Sequence, residues 1–96
     1  MLVRNMEHGR DLAKSLGESS VILMRGHGCS VAGPDIKGAT LMAVYLQISA
    51  AVQLQAMPLG DVRYLTPGET EKCTELFYSG LAIDRVWENL TSRLSR

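Results

Sequence analysis

The sequence predicts an α/β protein in which helices accompany a thin sheet of two or three strands. Three observations support this class. Residues 21–24 form a continuous apolar run that contains β-branched side chains, and with Arg25 they predict a strand over residues 21–25. In residues 29–33, Cys29, Val31 and Gly33 alternate with Ser30 and Ala32, which predicts a second strand after Gly26-His27-Gly28. Residues 36–57 form a long apolar segment that is typical of a helix.

A first helix is predicted over residues 1–16, because apolar side chains recur there at near-helical spacing and Gly17 is a suitable stop. The apolar run at residues 21–24 predicts that the strand over residues 21–25 is covered on both faces. The glycines that flank His27 predict a tight turn, which makes the two strands antiparallel.

The long helix is predicted to begin after Asp35, a good N-cap residue, and to end before Pro58 and Gly60. Residues 38–60 contain no charged side chain. Two apolar stripes predict two contact surfaces, covered by a sheet, by other helices or by a second subunit. One stripe contains Ala39, Ala43, Leu46, Ala50, Leu54 and Met57, and the other contains Leu41, Val44, Ile48 and Val52. A membrane span is disfavoured, because unpaired polar side chains are costly in lipid and four are scattered along the helix, namely Gln47, Ser49, Gln53 and Gln55.

Three shorter elements are predicted in the C-terminal third of the chain. Residues 62–65 could form a short edge strand, and residues 66–69 have the pattern of a helix start, with Pro at the first position and Glu at the third. That helix is predicted to continue over residues 71–78. A last helix over residues 82–95 has one apolar face, on which Trp87 is interpreted as a packing anchor.

Composition limits the function classes. A chain of 96 residues allows one domain, and 10 basic residues balance 10 acidic ones, so no overall charge favours nucleic acid or an anionic membrane. Cys29 and Cys73 have no CxxC spacing, and the first residues do not resemble a signal peptide, which together predict free thiols and a cytoplasmic location. The long helix predicts self-association, because two or three strands cannot cover it.

The best candidate for chemistry is His27, because flanking glycines leave its imidazole uncovered at a strand end. From the tripeptide alone, His27 is either a loop histidine at a hairpin or a reactive group. A lone histidine cannot hold a catalytic metal, which usually needs three protein ligands. His8 is interpreted as a solvated surface residue, and Cys29 as a nucleophile or a small core residue. No complete phosphate-binding or dinucleotide-binding motif is present.

Residues 9–60 resemble the class II aldolase/adducin family. The resemblance is carried by "GRDLAKSLG", "VILMRGHGCSVAG" and "DIKGATLMAVYLQISAAVQLQAMPLG", which are similar to the family's helix, its strand ending in His-Gly, its return strand and its long packing helix. "VRYLTPGE" and "RVWENL" are similar to the tails of decarboxylase-like bacterial members.

This resemblance implies that the fold is part of a three-layer α/β/α sandwich, in an oligomer that is commonly a homotetramer. It also implies that His27 is the third ligand of a divalent metal, usually zinc, which stabilises an enediolate formed by aldol cleavage or decarboxylation. The family's His-x-His pair and its acid/base glutamate lie upstream of the helix at which this chain begins. Residues 1–96 are therefore expected to be the C-terminal portion of one such domain.

Three hypotheses about function follow. In the first, the chain belongs to a metal-dependent carbon–carbon lyase that acts on a small carbonyl or carboxylate substrate. His27 then supplies one metal ligand, and the chain alone binds zinc weakly and is inactive. In the second, it is a non-enzymatic assembly module like the adducin branch of the family. In the third, it is a self-associating fragment without a biological role.

Overall fold

Within residues 2–77 and 79–94, which the computed structural model describes, the chain is rich in helix and has one antiparallel sheet of two strands. The order is α1 (Met6–Leu16), β1 (Val21–Met24), β2 (Gly28–Val31), α2 (Ile36–Ala56), a 3-10 turn (Met57–Leu59), α3 (Pro67–Phe77) and α4 (Leu81–Ser92). This composition is compatible with the predicted α/β class. The chain forms an N-terminal unit, Met1–Pro34, and a C-terminal unit, Asp35–Arg96.

Helix α1 begins later than predicted. Asn5 is its N-cap, and the Asn5 side chain accepts a hydrogen bond of 2.9 Å from the backbone N–H of His8. Because this cap satisfies a free N–H of the first turn, the helix starts at Met6, and the preceding described residues are not helical. Met1, where the prediction began, lies outside the described residues. The end at Leu16 is as predicted, followed by Gly17 at a φ of 54°.

The two strands form the predicted antiparallel hairpin, in which Val21 lies opposite Val31 and Met24 lies opposite Gly28. Helix α1 contacts β1. The prediction that the first strand is covered on both faces is wrong, since Leu23 is 74% exposed. An apolar run shows that its side chains can be buried, but it does not specify the element that would cover them.

The C-terminal unit has its core at the N-terminal half of α2. The side chain of Asp35 caps this helix as predicted and accepts a hydrogen bond of 2.7 Å from the N–H of Gly38. Leu41 is fully buried, and α2 packs against α4. Tyr45 and Phe77 make an edge-to-face ring contact at 5.6 Å. These contacts confirm that the first turns of α2 are packed within this unit.

The C-terminal half of α2 is largely uncovered. Ile48, Val52 and Leu54 are 45%, 58% and 68% exposed. Each of the two predicted apolar stripes is therefore covered only in part. By length and composition alone, Ile36–Leu59 could also cross a membrane. One such helix among the described residues is weak evidence for a membrane span.

The predicted edge strand at residues 62–65 is wrong, because these residues form no strand and lie beside α2 instead. The next helix start is confirmed by a reciprocal cap. The N–H of Thr66 donates to Glu69 at 3.1 Å, and the N–H of Glu69 donates to the Thr66 hydroxyl at 3.2 Å. The hydrogen bond from the Thr66 N–H, and after it one from the Thr66 side chain to the carboxylate, favour the charged form and lower the pKa of Glu69 below its ordinary value of 4.5.

The last two helices differ slightly from their predicted bounds. Helix α3 is described to Phe77, while Tyr78, its predicted end, lies outside the described residues. Helix α4 begins one residue before the predicted start and ends at Ser92, and Ser95, the predicted end, also lies outside the described residues. Trp87 is half-buried, in keeping with a packing role.

Candidate functional site

The site that the sequence singles out is the turn of the hairpin. The loop contains Arg25, Gly26 and His27, and the N–H of His27 donates to the carbonyl of Met24 at 3.0 Å. Gly26 has a φ of 74° and Gly28 a φ of 109°. These values lie in the region that side chains with a Cβ rarely adopt, so the two glycines allow the chain to reverse around His27.

The imidazole of His27 is available to bind a ligand. The residue is exposed, and within residues 2–77 and 79–94 neither ring nitrogen has a hydrogen-bond partner. A neutral imidazole with an unengaged nitrogen is the commonest metal ligand among side chains. The turn therefore presents one side chain with free nitrogen atoms, at the end of an apolar strand.

The described residues do not fit a complete metal centre. Among them, no group of three or more His, Cys, Asp or Glu side chains is placed to hold a metal ion. Catalytic zinc sites usually have three protein ligands. His27 can therefore be at most one contributor to such a site, and further ligands would have to be added to it.

Cys29 is in β2, opposite Leu23, and its thiol is exposed. The interpretation of Cys29 as a small core residue is therefore wrong. Activation as a nucleophile requires a neighbouring base or cation. Within the described part of the chain, no hydrogen bond or ion pair links Cys29 to such a group, so the geometry gives the thiol no catalytic partner.

His8 is half-buried rather than fully solvated, and it is engaged with the backbone. The ring Nδ1 of His8 accepts a hydrogen bond of 3.3 Å from the backbone N–H of Arg4. The backbone N–H of His8 donates a hydrogen bond of 2.9 Å to the side-chain oxygen of Asn5. This arrangement resembles a capping box in which a histidine occupies the third position. The three-residue spacing of Asn5 and His8 is the sequence signal for this capping role of His8, which was not among the predictions.

A second feature that the sequence analysis missed is a groove in the C-terminal unit, between α2 and residues 59–65. Its volume is about 660 Å³. Inside it, Gln53 donates a hydrogen bond of 2.9 Å to the hydroxyl oxygen of Tyr64. The sequence signal for this groove is the polar side chain of Gln53 within an apolar helix.

Comparison with known proteins places the hairpin and α2 in a family. Residues 2–54 match the family model described as the Class II Aldolase and Adducin N-terminal domain. The chain is 32% identical over 60 residues to a 3,4-dihydroxyphthalate decarboxylase of Arthrobacter keyseri, a match that covers 62% of this chain and 24% of the relative. A 3,4-dihydroxyphthalate decarboxylase of Terrabacter sp. (strain DBF63) is 29% identical over 69 residues, which are 72% of this chain and 29% of that relative.

These matches cover about a quarter of the length of the two curated relatives. No solved structure matches the chain. The family match covers more than half of the chain and includes α1, the hairpin with His27 and most of α2. The resemblance noted in the sequence is thus confirmed, and the chain belongs to the class II aldolase/adducin family, a lyase-type family.

Proposed function

We propose that this chain is part of a metal-dependent carbon–carbon lyase, an aldolase or a decarboxylase, to which it supplies His27 as one metal ligand. The observation that carries the proposal is the exposed, unengaged imidazole in the glycine-flanked turn, within the region that matches the family. Two curated relatives that are named as decarboxylases support the reaction type. The metal is a divalent cation, and zinc suits an imidazole ligand.

The remaining ligands and the acid/base group come from outside residues 1–96 in this proposal. Support comes from the described residues, which provide no cluster of three metal ligands, and from the relatives, of which the chain spans about a quarter. Residues 1–96 then form the C-terminal portion of one α/β/α sandwich domain. We expect the chain alone to bind zinc weakly and to have no lyase activity.

The proposed assembly is an oligomer with a small carbonyl or carboxylate substrate, and the proposed location is the cytoplasm. The exposed apolar side chains of α2 that lie outside the groove, such as Ile36 and Leu54, favour association with further protein. The free, exposed thiols of Cys29 and Cys73 suit a reducing compartment.

The experiment is a segment exchange. In the Arthrobacter keyseri decarboxylase, the segment that matches this chain is replaced by the residues of this chain, and release of carbon dioxide from 3,4-dihydroxyphthalate and bound zinc are measured. We expect both to be retained by the exchanged protein and lost in its His27→Ala variant. His8→Ala is the matched control, because His8 is the other histidine of the chain and its ring already accepts a hydrogen bond from the N–H of Arg4, just before α1.

Retention of zinc and activity by the His27→Ala variant would refute the role of His27. The isolated chain supplies an independent check by metal analysis after gel filtration. Tight stoichiometric zinc that His27→Ala abolishes would show that the other ligands lie within the chain or its oligomer, which contradicts the proposed division of the site.

An assembly module without enzymatic activity is the second candidate. The observation that favours it is the set of exposed apolar side chains of α2 outside the groove, such as Ile36 and Leu54, which suit a protein partner and need no metal. If the exchanged protein assembles to the size of the relative but binds no zinc and releases no carbon dioxide, this candidate replaces the first.

A further inference from the structure

The groove beside the C-terminal half of α2 has two walls of different character. Along α2, Ile48, Val52 and Ala56 follow one another at intervals of four residues and form an apolar wall. The other wall is the segment from Leu59 to Leu65, which contains Asp61, Arg63 and Tyr64. The volume of the groove, about 660 Å³, lies within the range of small-molecule sites.

Two hydrogen-bond donors on the second wall are not engaged. Gln53 donates its amide N–H to the Tyr64 oxygen, so the phenol serves as acceptor in that bond and its own O–H proton is free to donate. Arg63 forms no ion pair or hydrogen bond within residues 2–77 and 79–94. A guanidinium and a phenol O–H that line the same groove are suited to a carboxylate, which can accept a hydrogen bond from each.

We propose that this groove binds a small monocarboxylate with an apolar body. The body packs on Ile48, Val52 and Ala56, and the carboxylate receives hydrogen bonds from Arg63 and Tyr64. Asp61 also lines the groove and is unpaired in the part of the chain that the structure describes. The negative charge of Asp61 would repel a second carboxylate on a ligand in the groove. This favours ligands with a single negative head group.

The proposal does not depend on the metal-ligand role of His27, because every residue that it uses belongs to the C-terminal unit. The groove residues beyond residue 54 also lie outside the family match. If the segment exchange fails, the proposal for the groove is unaffected. If the groove binds no carboxylate, the proposed role of His27 is unaffected.

The test compares three probes that share one apolar body, namely 4-phenylbutanoate, 4-phenylbutan-1-ol and 4-phenylbutan-1-amine. Each is titrated into the ¹⁵N-labelled 96-residue chain, and amide chemical shifts are followed by NMR. We expect the acid to give saturable shifts with a dissociation constant of about 1 mM, centred on residues 48–65. The alcohol and the amine should bind about tenfold more weakly, since both lose the charge-assisted hydrogen bonds.

Variants locate the head group. Arg63→Gln should weaken binding of the acid about tenfold, and Tyr64→Phe about threefold. The control is Arg85→Gln, which removes an exposed guanidinium from α4 and should leave binding unchanged. Tyr64→Phe keeps the aromatic ring and so provides a second measurement if Arg63→Gln alters the spectrum of the free chain.

Several results would overturn the proposal. These are equal binding of the alcohol, stronger binding of the amine through Asp61, shifts centred on the hairpin, or no effect of Arg63→Gln. The absence of saturable shifts at roughly ten times the expected dissociation constant would overturn it as well.

Discussion

The two halves of α2 have similar apolar sequences but different surroundings. In the first half, Leu41 is buried, Asp35 caps the helix and α4 packs against it. In the second half, Val52 and Leu54 are more than half exposed and border a groove or solvent. The comparison shows that apolar character indicates a need for burial, while the neighbouring elements decide where burial is achieved.

The largest expected effect is that of truncating the buried side chain. Leu41→Ala should lower the free energy of unfolding by about 2–4 kcal/mol, because it removes buried contacts and leaves a cavity. Leu54→Ala, on the exposed half, should lower it by less than about 0.5 kcal/mol. Urea denaturation followed by circular dichroism measures both. Equal losses would show that Leu54 is buried in solution, for example in an oligomer, and would remove the contrast between the halves.

The next effect is that of the cap on the packed half. Asp35→Ala should destabilise α2 by about 1 kcal/mol, because the N–H of Gly38 loses its acceptor. The control is Asp35→Asn, whose side-chain oxygen can still accept this bond and which should retain most of the stability. The same denaturation experiment measures both variants, and a loss as large for Asn as for Ala would show that charge rather than hydrogen bonding matters at this position.

A smaller effect is expected from the ion pair between Lys37 and Asp84, whose atoms lie 2.8 Å apart. The hydrogen bond to Asp84 raises the pKa of Lys37 above its ordinary value of 10.5. The pair is partly exposed, and surface pairs contribute little, so Lys37→Met should lower the melting temperature only slightly. High salt should remove the difference between variant and wild type. A difference that survives high salt would indicate that packing, rather than charge, is lost.

The smallest effect concerns Glu69, whose cap fixes the end of the segment that borders the exposed half of α2. Its lowered pKa means that the carboxylate stabilises the folded chain fully above the ordinary value of 4.5. This contribution is lost as the pH falls through the lowered folded pKa. Helix content measured during acid titration should show the loss, and Glu69→Gln should remove this part of the pH dependence. An NMR titration midpoint of Glu69 above 4.5 would contradict the cap.

Features that depend on adjacent residues could be predicted from the sequence. The caps at Asp35 and Thr66 and the turn at Gly26-His27-Gly28 are examples, since their hydrogen bonds join groups only three residues apart. The resemblance to the family rested on the same segments and is confirmed.

Features that depend on distant neighbours could not be predicted. Residues 62–65 have strand-like composition, but a strand needs a partner edge, and this segment lies beside a helix. The exposure of Leu23 and Cys29 likewise depends on what covers the hairpin. For the candidate site, His27 could be singled out from its flanking glycines. A metal centre would need several ligands from distant parts of a fold, and the local pattern around His27 does not specify them.

The exposed thiol of Cys29 makes the hairpin accessible to spectroscopy. It lies two residues from His27 on a strand of defined register, so a nitroxide attached there would sit near any ion held by the imidazole. After Cys73→Ser removes the other thiol, a single label would be obtained. Broadening of its electron spin resonance by added Cu²⁺, and the loss of that broadening in His27→Ala, would reveal ligation at the turn directly, with no need for turnover.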